Sequence, residues 1–103
     1  MLAKITIGIT YEADIDHAIS VLQEVSEKAY REIDDIIDVP SVLGVSELAV
    51  TSVNILIIAT TQAGKQWAVE RELRKRFKNA LEQAGIEMPF ARQLVYPLSQ
   101  DGK

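Results

Sequence analysis

Residues 52–90 read SVNILIIATTQAGKQWAVERELRKRFKNALEQAGIEMPF. In that order they place a strand-like run, a charged amphipathic segment and a glycine before an extended return, and this order constrains the fold more than anything else in the chain. Val53, Ile55, Ile57 and Ala59 would lie on one side of the strand and Leu56 and Ile58 on the other, so both faces of it need cover. Residues 65–84 then place Val69, Leu73, Phe77, Ala80, Leu81 and Ala84 on one helical stripe, with most charges opposite. Glu70 with Arg74, and Glu72 with Arg76, are spaced four apart in the favourable order, each pair worth about 0.2 to 0.5 kcal/mol. Gly85 supplies the stop, because glycine readily takes the left-handed conformation that closes a helix.

The first half repeats this logic. Within residues 2–10, Ile5, Ile7 and Ile9 alternate with Thr6, Gly8 and Thr10, the period of a strand with one face on a core. Asp14 can cap a helix carrying Ile15, Ala18, Ile19, Leu22, Val25, Ala29 and Ile33 on one stripe, fading by Asp38 because Pro40 disfavours helical geometry at Val39. Residues 42–48 and 53–61 read as a hairpin, with Ala49 and Val50 poor turn formers between them. Residues 86–90 and 94–98 are short extended candidates. The order strand, helix, strand, strand, helix, strand predicts an α+β, ferredoxin-like sandwich: a four-stranded antiparallel sheet, first and third strands central, both helices on one face. The domain is expected over residues 1–90, with a C-terminal strand and tail over 91–103. Since two helices cover one face only, Leu56 or Ile58 is expected to contact another domain or subunit.

At 103 residues, 48% of them apolar and 25% charged, the chain suits one compact domain. A net charge of −4 argues against nucleic acid as a partner, and the absence of cysteine removes disulfides, thiolate ligands and a thiol nucleophile. The longest apolar run covers residues 55–59, far short of the roughly 20 residues needed to span a bilayer, and the N-terminus does not read as a signal peptide. As it stands the chain is expected to be a cytosolic piece.

Chemical motifs are weak. Glu12, Asp14, Asp16 and His17 lack a calcium-loop glycine and a second histidine, and fit helix capping better than metal binding. Asp34, Asp35 and Asp38 have no opposing acid, and Gly64-Lys65 lacks the earlier glycine and following hydroxyl of a phosphate loop. Arg71, Arg74, Lys75, Arg76 and Lys78 are interleaved with acids as on a solvated face. No enzyme activity, metal or cofactor is expected. Trp67, in the first turn of its helix, is a candidate interface anchor, with simple packing the alternative.

Three stretches together resemble the C-terminal cytoplasmic domain of the small-conductance mechanosensitive channel (MscS) family: IGITYEADIDHA, SELAVTSVNILI, and residues 67–90 with their E-L-x-x-R-x-K helix body and A-G-I-E-x-P-F exit. That resemblance implies a non-catalytic part of a heptameric pore that opens under membrane tension and releases ions and small solutes during osmotic downshock. The domain would form part of a cage below the pore, at the cytoplasmic face of the membrane, tied to the bilayer only through upstream segments outside this chain. It also implies that Leu94, Val95 and Tyr96 join a strand shared between subunits, while Ala91 and Arg92 depart from a frequent Pro-Gln pattern. A ligand-binding regulatory module of the ACT type shares the element order, but TYEAD lacks the glycine such modules often carry after the first strand. An acylphosphatase-like enzyme would need a Gly-rich phosphate loop there, which is likewise missing.

Overall fold

The computed structural model describes residues 1–89. Five elements succeed one another: β1 (Leu2–Ile9), α1 (Ile15–Glu32), β2 (Ser41–Leu48), β3 (Val53–Thr60) and α2 (Gln66–Gln83). The strands form an antiparallel sheet in the order β1-β3-β2. Alternation decides which face is dry: Ala3, Ile5, Ile7 and Ile9 of β1 and Val53, Ile55, Ile57 and Ala59 of β3 are all buried. Over them lie the two helices, α2 against β1 and α1 against β2. Leu22 and Ala18 from α1 and Val69, Leu73, Phe77 and Leu81 from α2 complete one continuous core.

Asp14 caps α1 as its spacing predicts, its Oδ1 accepting the His17 N–H at 3.1 Å. The helix stops at Glu32, earlier than the expected fade toward Asp38, because Ile33 turns extended and donates its N–H back to Ala29 at 2.8 Å. The end of β3 claims the next residues: Ile37 donates to the Thr60 carbonyl, Gln62 donates to Asp35, and Ile36 forms an isolated bridge with Thr61. At the far end of α2, Gly85 sits at φ 78°, and the Gly85 and Ile86 N–H groups reach back to Glu82 and Leu81 at 3.1 and 2.9 Å. This doubly bonded stop satisfies carbonyls that the last turn leaves open.

One expectation needs correction, and another turns on residues outside those described. Of the strands expected at the centre, only β3 has neighbours on both sides among the described residues; β1 pairs with β3 alone. Residues 86–88 are not a strand, since the Ile86 N–H is already spent on closing α2, although Glu87 accepts the Thr10 N–H at 3.0 Å and so brings the chain back beside β1. Phe90 and the second extended candidate, residues 94–98, lie outside the described residues. The turn between β2 and β3 forms without any positive φ at Ala49 or Val50, closed by a bond from the Ala49 N–H to the Ser52 carbonyl at 2.9 Å.

Candidate functional site

Several of the side chains that could carry chemistry are occupied with structure. Asp14 serves the α1 cap. On α2, Arg74 pairs with Glu70, Lys75 and Arg76 with Glu72, and Lys78 with Glu82, so the expected four-apart pairs form and four of the five basic residues are paired along their own helix. Arg76 also crosses to α1, its Nη1 standing 2.7 Å from Glu32 Oε1 while its Nε donates to Glu72 Oε2 at 2.9 Å. The Arg76 guanidinium therefore holds both carboxyls below their ordinary value of 4.5, chiefly through these hydrogen bonds, and its own pKa is raised. Among the described residues no three His, Cys, Asp or Glu side chains are grouped to hold a metal ion. A hollow of about 300 Å³ lies between the start of α1 and the end of α2, lined by Thr10, Glu12, Asp14, His17, Gly85 and Glu87 among others.

Apolar surface is the more distinctive feature. Leu56 and Ile58 are half-buried on the sheet face away from the helices, with Thr6 and Gly44 flanking Leu56 and Lys4 and Ser41 flanking Ile58 in register. Leu2 of β1 is exposed on the same face. Trp67 is 63% exposed at the start of α2, so of the two readings of this residue the single chain does not use it as core. Next to it in sequence, buried Gln66 keeps an Oε1 without a hydrogen-bond partner among the described residues. The remaining interface candidates, Leu94, Val95 and Tyr96, lie outside the described residues.

Sequence reasoning missed a further group. Leu43, Leu48 and Val50, on β2 and its turn, are more exposed than Leu56 or Ile58, and Tyr11 from the β1–α1 connection reaches the turn by donating its hydroxyl to the Ala49 carbonyl. The signal was present in the poor turn chemistry of Ala49 and Val50, whose apolar side chains replace the polar ones that turns ordinarily show.

Fold and surface together define a small α+β domain distinguished by exposed apolar side chains on sheet, turn and helix start. Residues 3–88 match the family described as mechanosensitive ion channel MscS, C-terminal. The chain is 36% identical over 95 residues to a small-conductance mechanosensitive channel of Caldanaerobacter subterraneus subsp. tengcongensis, covering 92% of this chain and 34% of that protein. An MscS family protein of Buchnera aphidicola subsp. Acyrthosiphon pisum is 34% identical over 90 residues, 87% of this chain and 28% of that one. The crystal structure of Helicobacter pylori MscS in its closed state superposes with a TM-score of 0.72 and 23% identity, over 86% of this chain and 34% of that chain, and so shares the fold. The chain belongs to the MscS family and corresponds to its C-terminal domain. It spans about a third of the length of these relatives.

Proposed function

We propose that this chain acts as the cytoplasmic C-terminal domain of a tension-gated MscS-type channel, one wall segment of a cage below the pore through which ions and small solutes pass during osmotic downshock. The observation that carries this reading is the reach of the family match, which takes in every described strand and helix apart from Leu2 at the start of β1. No helix among the described residues is long and apolar enough to cross a membrane, so in this reading the bilayer contact belongs to other segments. Seven copies assemble around the pore axis. Leu56 and Ile58 on the open sheet face and Trp67 at the start of α2 supply contacts to neighbouring domains, and Leu94, Val95 and Tyr96 supply a strand shared between copies. The role is architectural, and no step of catalysis is assigned to any residue.

A chimera tests it: this chain replaces the matching C-terminal domain of the Caldanaerobacter channel, in a host that lacks its own tension-gated channels. Stretch-activated currents and survival of osmotic downshock are expected. A chimera that reaches the membrane yet neither assembles nor conducts, while the parent channel does both, overturns the reading. The hollow beside the β1–α1 connection is where an ACT-type module would hold a ligand; raised thermal stability of this chain with an amino acid would favour that alternative instead.

A further inference from the structure

Turns that join two strands are ordinarily polar, and the one between β2 and β3 is not. Val50 is 95% exposed and Leu48 68% exposed, and Tyr11, itself half-exposed, reaches the same turn by donating its hydroxyl to the Ala49 carbonyl. The turn is also held from within. The Ala49 N–H donates to the Ser52 carbonyl at 2.9 Å, and the hydroxyl of buried Ser52 donates to Asn54 Oδ1 at 2.8 Å. An apolar surface fixed in this way before it meets a partner loses less conformational freedom on contact.

Place in the fold selects the partner. Leu48 and Ile9 are both register partners of Val53, so the ends of β2 and β1 lie in one row, roughly 10 Å across at the ordinary strand spacing. After α2 the chain comes back to this row, where Glu87 accepts the N–H of Thr10, the residue after Ile9. In the channel reading a strand shared between copies takes in Leu94, seven residues on from Glu87 and so at most about 25 Å away whatever path the chain follows. The opposite end of the sheet, where Met1 and Thr61 bond, is nine residues along β1 from Thr10, about 30 Å off. Another copy is therefore brought to the Leu48 end of the sheet and not to the Met1 end.

We propose that Leu48 and Val50, on the turn that Tyr11 braces, form a contact with the neighbouring copy of this chain. The contact rests on the channel reading and adds the β2–β3 turn to the surfaces that hold the copies together. Copies related by a ring axis meet through unlike patches, so the turn packs against a surface other than its own counterpart.

The chimeric channel carrying Val50→p-benzoylphenylalanine tests this, at a side chain too exposed for the change to disturb the core. Irradiation of the assembled channel is expected to give a ladder of bands at whole multiples of the subunit mass. Leu48→Asp combined with Val50→Asp is expected to lower the assembled fraction several-fold in size-exclusion light scattering, while the isolated chain with the same two changes keeps its circular dichroism spectrum. Three results overturn the proposal. One is a cross-link confined to a single subunit, which would make the chain its own cover. Another is a product whose mass is not a multiple of the subunit, which would make a different protein the occupant. The third is an assembled, conducting chimera that gives no ladder. Each of these removes the contact and leaves the channel reading standing, whereas an unsubstituted chimera that reaches the membrane without assembling removes both.

Discussion

Gly8 illustrates how much of this fold turns on a single absent methyl group. A Cβ there would stand 3.1 Å from Asn54 Oδ1 and 3.3 Å from both Cβ and Oγ of Ser52. Those atoms are fixed: Ser52 is fully buried and donates to Asn54 Oδ1 at 2.8 Å, and Asn54 faces Gly8 directly in the β1–β3 register. Gly8→Ala is therefore expected to lower stability by about 1 to 2 kcal/mol, the scale of mild overpacking, read from the urea midpoint of the 103-residue chain. An unchanged midpoint would mean that the Ser52–Asn54 pair yields. Phe77, wholly buried under α2, gives the opposite defect; Phe77→Ala leaves a cavity and should cost about 3 to 5 kcal/mol in the same assay. At this scale most of the core was legible from the apolar stripes, although Ile36, Ile86 and Ser26 are buried outside them. Ser26 is buried on the inner side of α1 because its hydroxyl donates to the Leu22 carbonyl at 2.8 Å, a local bond that apolar periodicity does not register.

Between elements, the Arg76 bridge ties the end of α1 to the middle of α2, and its acid dependence has a definite sign. Glu32 and Glu72 have folded-state values below the ordinary 4.5, so their stabilisation is fully present above that value and is lost as pH falls through the lower folded values. Arg76→Gln is expected to flatten the acid limb of the stability profile below about pH 5 and to leave its slope near neutrality unchanged, as urea midpoints across the pH series will show. At the other terminus of α2, Gly85→Ala forces a side chain into φ 78° and should cost about 1 kcal/mol. Both helices and all three described strands could be located from period and capping residues alone. The boundary of α1 could not, because Ile36 and Ile37 are taken up by Thr60 and Thr61, partners beyond the reach of any local signal in the helix.

For the whole molecule, the proposed assembly makes the open sheet face the surface to challenge. Leu56→Asp or Ile58→Asp replaces a half-buried side chain outside the main core, so the isolated chain is expected to keep its fold by circular dichroism while the chimeric channel loses its oligomer in size-exclusion light scattering. Retention of the full oligomer by both variants would remove these two residues from the interface. Their place on the face away from the helices was legible because β3 is apolar on both sides; the Leu48–Val50 end was not, because exposure of a turn depends on what packs over it. The run of the chain through the sheet also has a mechanical consequence. It enters beside Thr61, whose N–H donates to the Met1 carbonyl, and returns after α2 beside Thr10, at the opposite end of β1. A pull between residues 2 and 89 is thus directed along β1, across bonds that lie perpendicular to it, and loads its eight register pairs with β3 together instead of peeling them one by one. A domain threaded in this way resists stretching as a stiff link, and force applied at one end is carried to the other before the sheet gives way.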